Sequence, residues 1–258
     1  MQDTTYRRPI YWESHAATHP GAVREHNEDA YLSRGACNHW AVADGMGGHA
    51  VGDVASQEIV SALARLAVPN ELAGAVDCIE DCLLGVNGSL QRYARQNLGG
   101  ATIGSTLVDL IICGRVGVCL WAGDSRLYRY RRQTLTRISR DHSQVEDMVT
   151  MGLISAEEAR THQCSNVITR AVGVEENLLL DLRVFDVQLG DMYLLCSDGL
   201  HGVLSDEAIA DRLECREPAQ SVEALMAAAM QAGAPDNVTA VVTKGIPGAI
   251  VRQETQQS

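Results

Sequence analysis

Apolar residues in this chain mostly gather in short continuous runs of strand length, and only in a few stretches do they recur at helical spacing. Residues 40–43 form such a run, stopping at Asp44 and followed by glycines. From about 51 to 66, and again over 75–96, apolar positions return every third or fourth residue, which predicts two helices. Residues 105–113 and 116–122 predict two strands joined at Gly114-Arg115. Residues 127–131 and 134–138 predict a further hairpin turning at Arg132-Gln133. Helices are predicted over 143–153 and 156–162, and strands over 178–187 and 192–196. Helices over 208–213 and 221–232 and a closing strand over 238–243 complete the pattern.

Strands therefore follow one another without alternating helices, and the helices come in groups. That order predicts an α+β architecture, an antiparallel β-sandwich flanked by helix pairs, rather than a doubly wound sheet. Residues 143–173 interrupt the strand series and are expected to project as a flap. The expected organisation is one domain over residues 1–248, followed by a frayed polar tail, 249–258.

Composition narrows the function. The 258 residues are 46% hydrophobic and 21% charged, the balance of a folded globular chain. With 21 Lys and Arg against 33 Asp and Glu, the net charge is −12, which gives no footprint for nucleic acid or anionic lipid. No secretory h-region opens the chain and no apolar run reaches transmembrane length, so the expected location is the cytoplasm, without membrane association. Eight cysteines occur without a CxxC spacing, and Cys113, Cys119 and Cys196 sit inside apolar runs. They read as reduced core residues, not as zinc ligands.

The acids are not scattered. Asp44 follows Trp40-Ala-Val-Ala and precedes Gly45, Asp124 follows Val118-Cys-Leu-Trp-Ala-Gly, and Asp198 follows Met192-Tyr-Leu-Leu-Cys-Ser. Asp236 opens the strand that starts at Val238. Each is placed where a buried strand is expected to meet a turn. Any one of them is explained by turn shaping or helix capping, which Asp-Gly commonly performs. Four converging on one rim would repel one another unless cations neutralised them, and such oxygen donors suit magnesium or manganese. Paired divalent ions point to phosphoryl chemistry, which also calls for an arginine fork. Arg24, in Gly21-Ala-Val-Arg-Glu-His-Asn-Glu-Asp, is the candidate; the plainer account is a surface salt bridge to Glu28 and Asp29.

Taken together, these segments resemble the metal-dependent PPM, or type 2C, protein phosphatases in their compact bacterial form. The resemblance rests on Arg24-Glu-His-Asn27-Glu28-Asp29, Val42-Ala-Asp44-Gly45-Met-Gly47-Gly48, Gly104-Ser105-Thr106 and Ala122-Gly123-Asp124-Ser125-Arg126. It continues through Asn166-Val-Ile-Thr169-Arg170-Ala-Val-Gly173, Cys196-Ser197-Asp198-Gly199-Leu200 and Asp236-Asn237-Val-Thr239. The motifs fall in the family's order from about residue 12 to 245.

The resemblance implies a β-sandwich with a metal site at one end, hydrolysing phosphoserine and phosphothreonine with Mn2+ or Mg2+ in two tight sites and a weaker third. Asp44 would bridge two metals and Gly45 would offer its carbonyl. Asp198 and Asp236 would hold one metal of the pair, and Asp124 with Asp198 the third. Glu28 and Asp29 would accept hydrogen bonds from metal-bound water, Asn237 would orient Asp236, and Arg24 would bind phosphate. Met46 stands where animal members carry a histidine, and a thioether has no proton to give. His49 is nearby but reads as a surface or structural histidine. Implied partners are phosphoprotein substrates and a cognate Ser/Thr kinase, with type VI secretion control as one setting; a monomer is expected. Two rivals are weaker. Gly45-Met-Gly47-Gly48 is similar to a dinucleotide-binding loop, but its spacing is wrong and Asp44 would repel a pyrophosphate. A phosphoprotein-binding pseudophosphatase would have lost a metal aspartate, and all four are present.

Overall fold

The apolar runs form two antiparallel sheets packed face to face, with their central strands buried on both sides. A computed structural model describes residues 9–47, 51–160, 162–214 and 216–248. The chain opens with β1 (Ile10–His19), β2 (Asp29–Arg34) and β3 (His39–Met46), followed by α1 (Gly52–Arg65) and α2 (Leu72–Asn97). Then come β4 (Gly104–Ser105), β5 (Leu107–Cys113), β6 (Val116–Ala122), β7 (Arg126–Arg131) and β8 (Thr134–Arg137). Helices α3 (Gln144–Thr150) and α4 (Ala156–Arg160) precede β9 (Asp181–Asp186) and β10 (Met192–Cys196). The last elements are α5 (Asp198–His201), α6 (Asp206–Leu213), α7 (Pro218–Gln231) and β11 (Val238–Pro247).

One sheet runs β1-β11-β10-β7-β8 and the other β2-β3-β5-β6-β9, with β4 added against β3. Between them lies a core built around Trp12, Trp40, Trp121 and Tyr193, in which the Trp12 and Trp40 rings meet edge to face at 6.2 Å. The outer face of the second sheet is closed by α1 and α2 through Ile59, Leu63, Ile79 and Leu83. The outer face of the first is closed by α6 and α7 through Ile209, Leu213, Val222 and Leu225. Each such buried aliphatic side chain contributes roughly 1.5–3 kcal/mol. Among the described residues no helix is long and apolar enough to cross a membrane.

The α+β sandwich with flanking helix pairs is the architecture the pattern predicts. Its departures have local causes. β1 and β2 were not anticipated, because of the ten residues of β1 only Trp12 is fully buried and the strand reads as polar. The strand expected over 105–113 is interrupted at Thr106, opposite Asp44, because the Asp44 N–H donates to the Thr106 hydroxyl instead of its carbonyl. β9 shrinks to a mostly exposed edge strand. Two helices begin earlier than their apolar periodicity. α6 starts after Ser205, whose hydroxyl accepts from the Ala208 N–H, and α7 starts at Pro218 behind a capping box made by Glu217 and Gln220. The turn at Arg132 and Gln133 is present with both residues left-handed, at φ 50° and 62°. The expected tail, 249–258, and His49 lie outside the described residues.

The segment expected to be a flap carries α3 and α4 and is sewn back to the body at both ends. Ser143 pairs with Ile168 across its base, and Val172 pairs with Ser105 beside β4. The buried Asn87 side chain of α2 fixes the return. Its Oδ1 accepts from the Gly173 N–H at 2.6 Å and its Nδ2 donates to the Glu175 carbonyl at 2.9 Å. Replacing Asn87 by alanine strands both backbone groups and is expected to cost about 1–3 kcal/mol. A denaturant titration reads this as a lower midpoint at unchanged slope. An unchanged midpoint would show that the return is held elsewhere.

Candidate metal centre

The β2–β3 register sets Asp29 directly opposite Asp44. Like charges so placed repel, and the surroundings answer with fixed dipoles. Asp29 is 3% exposed and accepts from the Ser197 hydroxyl and the Thr239 hydroxyl, each at 2.7 Å. Its other oxygen has no partner. Asp44 is gripped through its backbone. Its N–H donates to the Thr106 hydroxyl at 3.1 Å, and its carbonyl accepts from the Thr106 N–H at 2.8 Å. The Thr106 hydroxyl also meets that of Ser125 at 2.7 Å. Gly45 donates its N–H to the Glu28 carbonyl at 3.1 Å, and a Cβ there would overlap the Gly52 carbonyl. Space, not backbone conformation, requires glycine at that position.

The remaining carboxylates come from other strand ends at the same end of the sandwich. Asp124 follows β6, is 8% exposed, and offers its carbonyl to His201 Nε2 at 3.0 Å. Burial pushes the His201 imidazole down to about 3, so it is neutral at physiological pH. Asp198 opens α5. Asp236 precedes β11, where Oδ1 accepts from the Asn237 N–H at 2.9 Å and Oδ2 from Arg24 at 2.8 Å. The Asn237 side chain serves the opposite loop. It donates to the Pro20 and His26 carbonyls at 2.9 and 2.8 Å and accepts from the Glu28 N–H at 2.8 Å.

Asp44, Gly45, Asp124, Asp198, Asp236, Arg24 and Glu28 all line one cavity of about 520 Å³, and Met46 lines it with them. Asp29 lies behind Asp44 and does not line it. Burial raises the Asp44 carboxyl well above the usual range, and the charges of Asp29, Asp198 and Asp124 add to the effect. Burial and Asp198 push Asp124 up to about 7. Asp198 is raised by burial and by Asp236, against a hydrogen bond with Asp44. In Asp29, burial outweighs the two hydroxyl donors and lifts the carboxyl to about 7.

Donor chemistry decides what could sit here. The lining offers carboxylates and one backbone carbonyl, all hard oxygen, and one oxygen of Asp198 is buried with no partner. Such a set fits a divalent cation of the magnesium or manganese kind. Among the described residues no three His, Cys, Asp or Glu side chains already form a closed metal cage. The donors share a cavity while two of them turn to protein partners, Asp236 to Arg24 and Asp198 to Asp44.

A family model described as protein phosphatase 2C matches residues 21–242. The chain belongs to the protein phosphatase 2C family. It is 38% identical over 224 residues to the serine/threonine protein phosphatase PstP of Mycobacterium tuberculosis, an alignment spanning 86% of this chain and 43% of PstP. The chain thus spans less than half the length of that relative. Among solved structures it is similar to PppA, a key regulatory component of T6SS in Pseudomonas aeruginosa. The TM-score is 0.86 and the identity 41%, covering 93% of this chain and all of that one. It is also similar to the catalytic domain of PstP in complex with two manganese ions, with a TM-score of 0.82, 34% identity and coverage of 92% and 99%. The two-sheet architecture is the fold of these type 2C neighbours.

Arg24, Glu28, Asp44, Gly45, Asp124, Asp198, Asp236 and Asn237 of this type 2C chain line one cavity, and Asp29 lies behind it. The structure corrects two local readings. Asp44 lies inside β3 and Asp198 in the first turn of α5, so neither sits at a plain strand–turn junction. Arg24 pairs with Asp236, not with Glu28 or Asp29. Thr106, Ser197 and Thr239 hold Asp44 and Asp29 but carry no role in the sequence reading; Ser197 and Thr239 stand near Asp198 and Asp236 in sequence, whereas Thr106 has no such neighbour.

Asp29 supplies a pH test. Its folded value of about 7 lies above the ~4 of an unfolded carboxylate. The folded state therefore binds this proton more tightly, and the resulting stability is complete below about pH 4 and lost as pH rises through about 7. The stability of wild type relative to Asp29→Asn, measured without added metal, should fall across that window by no more than about 4 kcal/mol. Manganese should flatten the fall. A difference independent of pH would remove Asp29 from the buried, repelled set.

Proposed function

We propose that this chain is a protein serine/threonine phosphatase, hydrolysing phosphoserine and phosphothreonine with Mn2+ or Mg2+ in two tight sites and a weaker third. One observation carries the reading: oxygen donors from separate strand ends converge on a single cavity whose rim holds Arg24. When bound, a pair of divalent cations lowers the pKa of water and neutralises phosphoryl charge. Asp44, with the Gly45 carbonyl beside it, would hold both ions of the pair. Asp198 and Asp236 would hold one ion of the pair, and Asp124 with Asp198 the third. Glu28 would accept a hydrogen bond from water at the site, with Asp29 supporting from behind Asp44.

Arg24 is 56% exposed and held at one guanidinium nitrogen by Asp236, so it is free to turn its fork onto phosphate oxygens. Met46 has no proton to donate, so the leaving serine or threonine oxygen takes its proton from water. Phosphoproteins are the substrates and a bacterial Ser/Thr kinase is the opposing enzyme, both in the cytoplasm, with the phosphatase acting as a monomer. Likeness to the Pseudomonas aeruginosa PppA supports a place in type VI secretion control.

Exhaustive chelation should abolish hydrolysis of a small aryl phosphate, and manganese should restore it. Asp44→Asn should lower kcat by about three orders of magnitude, ~4 kcal/mol, and weaken manganese binding in calorimetry while the fold is retained. Full turnover by the chelated protein, with its metal content measured near zero, would refute the metal role.

Arg24→Ala should raise KM about tenfold or more and lower kcat less, because a phosphate fork acts already in the ground state. Lysine should rescue in part. If Arg24 serves only to neutralise Asp236, KM at saturating manganese will stay at the wild-type value, which rejects the phosphate role.

A further inference from the structure

A second cavity, of about 690 Å³, adjoins the metal centre and shares Asp124, Asn166 and Asp198 with it. The flap contributes Val145, Val149 and Ala159 to its lining, and the segment after α5 contributes Val203, Leu204 and Asp206. Aliphatic side chains form one part of the wall, and charged and polar ones the larger part. Apart from Asp124 and Asp198, which belong to the metal centre, the charged groups are unequal in what they can still bind. Asp141 takes the Arg126 guanidinium in a fork at 3.0 and 2.6 Å, and Arg137 lies 3.5 Å from it. Glu146 takes Arg137 at 3.0 Å and Arg140 at 3.4 Å. Both guanidinium groups on the cavity are thus neutralised from within the protein. Asp206 differs: it accepts from the neutral Tyr128 hydroxyl at 3.2 Å, and no ion pair to it is made among the described residues.

We infer that this cavity receives the side chain of a lysine or arginine flanking the phosphorylated residue of the substrate, with Asp206 accepting its charge. The inference rests on the phosphatase reading above, which sets the phosphoryl group at the carboxylates where this cavity begins. A long basic side chain suits both features, since its stem packs on the aliphatic part of the wall while its head seeks a carboxylate not already paired. A purely apolar side chain would cover that part and leave Asp206 unused. An acidic one would face Asp206 across a cavity whose guanidinium groups are taken. Asp206 also sits in the first turn of α6, where a negative charge favours the helix. That role accounts for a carboxylate there, but not for its facing the cavity beside Leu204.

The test uses the full chain with manganese. Phosphothreonine peptides carry one lysine at each of the three positions on either side, matched by norleucine and glutamate at the same positions, with p-nitrophenyl phosphate as the reference substrate. At one position kcat/KM for lysine should exceed that for norleucine about fivefold, with glutamate lowest. In Asp206→Asn that ratio should collapse toward one, whatever the overall rate. Turnover of both substrate types with no position favouring lysine, or a ratio that survives in Asp206→Asn, overturns the subsite alone. No turnover of aryl phosphate or peptide overturns the phosphatase reading and the subsite with it.

Discussion

Mutual repulsion among buried carboxylates is the constraint on which this structure turns. Asp44 is held well above the ordinary carboxylate range, Asp198 is raised, and Asp29 and Asp124 lie near 7, by burial and by one another. A chain selected only for stability would not gather such groups on one rim, because each adds a desolvation cost that its neighbours increase. The architecture around them consists largely of means to keep them there. The Ser197 and Thr239 hydroxyls point at Asp29, Thr106 holds the Asp44 backbone in two directions, and Asn237 fastens the loop that carries Glu28.

Both sheets contribute to the site. Asp29 and Asp44 lie in strands of the second sheet and Asp124 follows one, whereas Asp198 and Asp236 border strands of the first. The site therefore spans the sandwich, and its geometry depends on how the sheets stack. Trp12 from the first sheet against Trp40 from the second is one contact that fixes that stacking. Register matters as much. A slip of one residue between β2 and β3 would turn either Asp29 or Asp44 to the opposite face. On the other side of β3, the Thr106 contacts hold Asp44 in register with β4 and β5.

What could be read from the chain follows from this division. The runs that became β5, β6, β10 and the start of β11 were legible because they are buried on both faces and therefore continuously apolar. β1 was not legible, because an edge strand with a single fully buried residue has no alternation to read. The candidate carboxylates stood out by their shared context after apolar runs. Their supports did not, because a hydroxyl acquires meaning only from what it faces. Thr239 meets Asp29 across 210 residues, and Thr106 meets Asp44 across 62. Arg24 was found as a cation near acids, yet its partner, Asp236, lies 212 residues away and no local pattern points to it.

The same contrast bears on how chemistry and selectivity could separate in one fold. Two of the carboxylate positions are held firmly, Asp29 by the Ser197 and Thr239 hydroxyls and Asp44 through its backbone by Thr106. The wall formed by the flap is tied differently. It is fastened at its base by the Ser143–Ile168 and Ser105–Val172 pairings and by Asn87, while Glu146 of α3 reaches toward the rim through Arg137 and Asp141. Residues such as Val149 and Ala159 border the cavity that adjoins the centre without touching the network that holds Asp44. Changes there alter the shape of the adjoining cavity and leave the backbone contacts of Asp44 as they were.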